Sequence, residues 1–161
     1  MDSLLILEIL FILFTLVLLV LNLSKRISTK KEGTYTIIRN FNASFFTTGI
    51  ICIVFIVYIF MYTKDFTSIT KYLAILLLIL LFVTTYFNSN LLFGHDTFLY
   101  MFSKKSYKEI RKASVLNKGN GRVISFLFKN GSKLSITTSK NNGSIMLEIL
   151  KRKSVKVDYI R

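Results

Sequence analysis

One cysteine, one histidine, no proline and only eight acidic residues limit what this chain can do. Cys52 stands alone inside an apolar run, which excludes an internal disulfide and a cysteine-based zinc cluster. It reads as a small apolar residue. Without proline, no kink or cis turn can be assigned to one. His95 and its neighbour Asp96 fall short of the three or four protein ligands that a zinc site needs. A His-Asp pair could serve a nucleophilic serine, but no serine sits in a G-x-S-x-G setting. No glycine-rich loop resembles a phosphate cradle. His95 reads as a turn residue at a bilayer edge. The expectation is a protein that is not an enzyme and holds no cofactor or metal.

What is abundant is apolar sequence and positive charge. Hydrophobic residues make up 52% of the 161 positions, and the formal charge is +14 from 22 Lys and Arg. The apolar residues come in blocks, as membrane spans do, rather than scattered as in one soluble core. Three spans are expected, at about residues 3–23, 45–62 and 71–87. The first, SLLILEILFILFTLVLLVLNL, covers the roughly 30 Å hydrocarbon layer at about 1.5 Å per residue. A cleavable signal peptide would carry positive charge before its apolar stretch and small residues after it. Here Asp2 precedes, and Lys25 and Arg26 follow. A retained helix is the better reading.

Charge then sets the orientation. Five Lys and Arg lie between Ser24 and Ser44, two between Lys64 and Lys71, and fifteen beyond Asn88. The link Thr63 to Thr70 is short enough to make spans two and three a helical hairpin. Positive residues stay in the cytoplasm, so the N-terminus is expected outside and the C-terminus inside a bacterial cell membrane. Tyr58 and Tyr62 then lie near the outer interface, and Tyr86 and Phe87 near the inner one. The chain divides into a membrane domain, 1–88, and a cytoplasmic domain, 89–161.

The second domain reads as a small α+β unit. Alternation marks strands at Thr97–Phe102, Arg122–Lys129 and Lys133–Thr138, with a weaker one at Tyr107–Leu116. Asn130-Gly131 is a hairpin signal of the type I′ kind, and Asn117–Gly121 is a second turn. From about Asn142, Ile145, Met146, Ile149 and Leu150 fall on one helical face, with Lys151, Arg152 and Lys153 at the end where cations suit the helix dipole. Val155–Ile160 could add a last short strand. A domain of this size is marginal alone.

Few residues stand out as contacts. Glu8 is a carboxyl inside a span, which by default signals function. Thr47, Thr48 and Gly49 form a small-residue patch suited to helix contact in lipid. The tail cations Lys104, Lys105, Lys108, Arg111, Lys112, Lys151, Arg152 and Lys153 are candidates for anionic lipid, worth about 1 kcal/mol each close to the surface. The same charge could instead serve topology and solubility. A nucleic-acid surface would also be basic, but no recognisable nucleic-acid motif is present, and none is expected as a partner.

The succession FLYMFSKKSYKEIRKASV, NGRVISFLFKNGSKLSITT and SIMLEILKRK resembles the pleckstrin-homology-like domains of small Gram-positive membrane proteins. The matching features are an aromatic-x-x-Ile segment at Tyr107 to Ile110, a hairpin over Phe128 to Ile136, and a closing helix. The resemblance covers about 65 residues of the tail and none of the spans. It implies an antiparallel β-sheet or barrel closed by the C-terminal helix, with a seventh strand supplied by Asn90–Phe93 or Val155–Ile160. That group includes bacteriocin self-immunity proteins of the sublancin-immunity type. It therefore implies a membrane partner such as a peptide toxin, or regulation of a larger membrane complex. The alternative is an accessory subunit of a transporter or secretion complex.

Overall fold

The computed structural model describes residues 3–41, 43–62 and 69–160. Asp2 and most of the link between the second and third spans, with Lys64 and Asp65, lie outside the described residues.

Three long helices dominate the first half: α1 (Ser3–Lys30), α2 (Ala43–Tyr62) and α3 (Ile69–Ser89). Each holds a window long and apolar enough to cross a membrane: Leu5–Lys30, Ser44–Met61 and Ile69–Ser89. α2 and α3 match the expected spans closely. α1 runs seven residues further than expected. Its 28 residues extend about 42 Å at the helical rise, more than the apolar layer requires. The stretch past the expected span carries Lys25, Arg26 and Lys30.

The helices are joined along an unusual seam. Ile12, Thr15, Asn22, Arg26 and Thr29 of α1 are buried, spaced three, four or seven apart, so they share one face. α3 is the helix that α1 packs on. In lipid, apolar side chains give no net drive to helix association, and small or polar side chains take over that role.

Among the described residues, eight short strands form two four-stranded sheets. The first contains β1 (Thr36–Arg39), β2 (Asn90–Phe93), β3 (Thr97–Tyr100) and β4 (Ser103–Ser106), all antiparallel and in chain order. The segment expected to be a plain loop between the first two spans thus provides an edge strand, with Arg39 opposite Asn90 and Thr36 opposite Phe93. The strand expected over Thr97–Phe102 ends earlier, and Met101 adopts a left-handed turn (φ 53°) that starts β4.

One turn of 3-10 helix (Tyr107–Glu109) leads to the second sheet, which holds β5 (Ile110–Lys118), β6 (Gly121–Phe128), β7 (Lys133–Ser139) and β8 (Val157–Ile160). Its order is β7-β6-β5-β8. β8 lies parallel to β5 rather than antiparallel, because α4 (Lys140–Arg152) intervenes and returns the chain for a parallel pairing. The turns differ in detail from expectation. At Asn130-Gly131 only Gly131 has positive φ (82°), and Phe128 N–H donates to the Ser132 carbonyl. This is a three-residue hairpin with a left-handed third residue, not type I′. The Gly119-Asn120 turn has its positive φ at Gly119, matching type II′.

The core lies between the two sheets and α4. Leu91, Phe93 and Phe98 from the first sheet meet Val115, Ile124, Phe126 and Ile136 from the second, and Met146 and Leu150 from α4. Phe98 is central, with ring centroids 5.2 Å from Phe126 and 5.9 Å from both Phe93 and Tyr107. Ile145, expected on the inner face of α4, is exposed, and Leu147 takes its place. β2 and β3 bury both faces. Leu92 and Leu99 pair across the ladder and are fully buried, yet lie outside the central cluster. Their face is the one that α1 covers.

Candidate functional site

The C-terminal end of α1 binds the helices to the first sheet through a chain of polar contacts. The Asn22 amide donates to the Asn88 side-chain oxygen (2.7 Å) and the Met101 carbonyl (3.0 Å). Its own oxygen accepts from Arg26 Nε at 2.7 Å. Arg26 Nη2 donates to the carbonyls of Phe87 and Asn90, where α3 passes into β2. Lys25 Nζ reaches the Phe102 carbonyl at 2.6 Å. Beyond the helix end, the Glu32 carboxylate accepts from the Thr97 hydroxyl and backbone, the Asp96 N–H and Lys104 (2.9 Å). Burial works to raise the Glu32 pKa, but those bonds from Lys104, Thr97 and Asp96 outweigh it and hold the carboxyl below its ordinary range. The phenol of Tyr107 is pushed up, by burial first and then by the charges of Glu32 and Asp96.

Next to this clamp lies a cleft of about 490 Å³ between α1, β1 and the end of α3. Arg26 and Lys30 line it from α1, Arg39 from β1, and Tyr86 and Phe87 from α3. Their placement follows from local periodicity. Arg26 and Lys30 are four apart on one helical face, and Ile37 and Arg39 are two apart on one strand face, with Ile38 turned into the core. Among the described residues, no acidic side chain lines the cleft. The Arg26 guanidinium stands 5.4 Å over the Phe87 ring, and its Nη1 has no hydrogen-bond partner among the described residues. Leu23, Ile27 and Ile37 supply an apolar wall. The arrangement suits an anionic group attached to an apolar body.

The tail cations expected to contact lipid have different surroundings. Lys104 is held by Glu32 and Ser28, Lys112 lies 3.6 Å from Asp158, and Arg152 pairs with Glu148 at 2.6 Å. Lys105 stands over the Phe128 ring, and Lys151 is exposed. Lys108, Arg111 and Lys153 do come together, around Tyr107. Sequence reasoning placed Arg26, Lys30 and Arg39 in a topological loop. The three-to-four spacing of polar residues along α1 was the available signal.

Inside the helices, one carboxylate oxygen of Glu8 is buried with no hydrogen-bond partner among the described residues. Gly49 is used within the chain, since a Cβ there would sit 3.3 Å from the Phe82 ring of α3. Thr48 is partly buried and Thr47 exposed. His95 Nδ1 lies 3.1 Å from Asp96 Oδ1 in the β2–β3 turn, with both side chains more than half exposed. Comparison with protein-family models, curated proteins and solved structures finds no match for this chain.

Proposed function

We propose that this chain is a three-span bacterial membrane protein, N-terminus outside and C-terminus in the cytoplasm, that binds anionic lipid rather than catalysing a reaction. The observation that carries this reading is the cleft with Arg26, Lys30 and Arg39 and no acid, set where the apolar helices end. With the basic segments inside, that level is the inner head-group layer. A phosphate would meet three cations there, and the acyl chains would follow Leu23 and Tyr86 toward the hydrocarbon. Arg26 is already oriented by Asn22 and the Phe87 and Asn90 carbonyls, so little ordering cost remains on binding. The β layers fit a pleckstrin-homology-like module. β1 to β7 precede α4 in chain order, with Asn90–Phe93 among them as β2, and β8 follows the helix.

The test is lipid analysis of the full chain purified in nanodiscs of mixed phosphatidylglycerol and phosphatidylethanolamine. Phosphatidylglycerol is expected to be retained by the native chain and lost from a Lys30→Gln/Arg39→Gln variant. Equal retention of both lipids would refute the proposal.

A second reading is an intramembrane partner, either a peptide toxin against which the cell is protected or a subunit of a larger complex. The unpartnered Glu8 oxygen favours it, because an uncompensated carboxyl in a span is costly. Mild-detergent purification from native membrane should then recover a co-purifying chain that Glu8→Gln releases; recovery of the same chains by both forms removes Glu8 from that role.

A further inference from the structure

Around the 3-10 turn and the end of α4, five cations from three separate segments converge. Lys108 and Arg111 flank the end of the 3-10 turn, Lys129 follows β6, and Lys153 and Lys156 lie in the link from α4 to β8. Together they line an open cavity of about 290 Å³. Its floor is the buried Tyr107, whose hydroxyl donates to the Gly94 carbonyl at 3.3 Å. The backbone beneath the cations is fixed. Lys129 N–H donates to the Glu109 carbonyl, and the Lys156 carbonyl accepts from Ala113, both at 2.8 Å.

The charge here is not neutralised locally. Elsewhere on these layers Lys104, Lys112 and Arg152 each face a carboxylate. Among the described residues Lys108, Arg111, Lys129 and Lys156 have no ion-pair partner, and no carboxylate lines the cavity. The nearest acid in sequence, Glu109, is exposed and contributes no lining. Lys153 stands 5.9 Å over the Tyr107 ring. Five like charges held on a fixed frame repel one another, and a multivalent anion relieves that repulsion at several points together.

Position selects the source of the anion. β2 starts at Asn90, directly after α3, and Gly94 lies about 13 Å further along at the usual strand rise. Tyr107 is bonded to Gly94. Measured along β2, the cluster is therefore farther from the end of α3 than a Debye length, about 8 Å at physiological salt, while Gly94 itself packs on Thr29 near the end of α1. We infer that the Tyr107 cavity binds a soluble ligand carrying two or more linked phosphates. Arg111 offers a planar fork to one phosphate, and the lysines act as point charges on the next. The site is separate from the lipid cleft and shares none of its residues.

The test uses the full chain in zwitterionic phosphatidylcholine nanodiscs, titrated calorimetrically with inorganic tripolyphosphate. Saturable one-to-one binding is expected. A Lys108→Gln/Lys129→Gln variant should weaken it about tenfold, and a Lys118→Gln/Lys140→Gln control less than about twofold. All four lysines are exposed, and matching thermal melts would establish that both variants fold. Equal weakening by the two variants, or binding that never saturates, would reduce the cluster to diffuse charge and overturn the inference. Displacement of tripolyphosphate when phosphatidylglycerol replaces the neutral lipid would assign the cluster to the membrane and overturn it as well. So would tighter binding of a single-stranded oligonucleotide than of tripolyphosphate.

Discussion

Asn22 and Asn88 meet side chain to side chain at 2.7 Å, 66 residues apart in the chain. The pair ties α1 to the end of α3 where the apolar helices give way to the sheet. Asn22 also orients Arg26, so one buried amide supports both the clamp and the cleft. Asn22→Leu should leave Asn88, Arg26 and the Met101 carbonyl short of partners and cost about 1–3 kcal/mol for each buried group left unsatisfied. The expected result is a lower melting temperature in detergent together with weaker retention of anionic lipid. An unchanged melt would mean that the seam is held by packing alone.

The Glu32 carboxylate gives the clamp a pH dependence of definite sign. Its folded pKa lies below its unfolded value of about 4.3. The stability it contributes is therefore fully present above that value and lost as pH falls through the folded pKa. Below about pH 4.3, melts of the native chain should fall more steeply than those of Glu32→Gln. Parallel curves would show that other carboxylates govern acid loss.

At Gly94 the sheet comes close against α1. A Cβ there would lie 2.8 Å from Thr29 Cγ2 and 3.0 Å from the Thr29 carbonyl oxygen. Gly94→Ala should destabilise by about 1–3 kcal/mol as an overpacking change. Adding Thr29→Ser removes the methyl but not the carbonyl, so it should rescue only part of the loss. Full rescue would place the conflict in the methyl alone.

Phe98→Ala should cost about 3–5 kcal/mol, because the ring is fully buried among three other aromatic rings. In so small a core, the expected outcome is loss of the cooperative melt rather than a modest shift.

A fragment of residues 88–161 should not fold independently. It lacks β1, which leaves one edge of β2 open and removes Ile38 from the core, and it lacks the α1 segment over Leu92 and Leu99. Exposed strand edges and apolar faces promote association. The fragment should aggregate or show no cooperative unfolding transition; a sharp monomeric transition would contradict this.

The sequence alone determined whatever depends on local period and composition. Long apolar runs specify helices able to cross a membrane whatever surrounds them. Period-two alternation located β6 and β7, and Asn-Gly and Gly-Asn located their turns. Only tertiary structure decided the rest. Thr36–Arg39 is too short to announce itself as a strand, and it becomes one because β2 offers it an open edge. Leu92 and Leu99 break the alternation of β2 and β3 because α1 covers a second face of that sheet. β8 runs parallel because α4 carries the chain across before returning it. Arg26, Lys30 and Arg39 read as a charge run when taken in order. They line one cleft because helix and strand each present alternate positions to the same space, a relationship that exists only between elements already packed together.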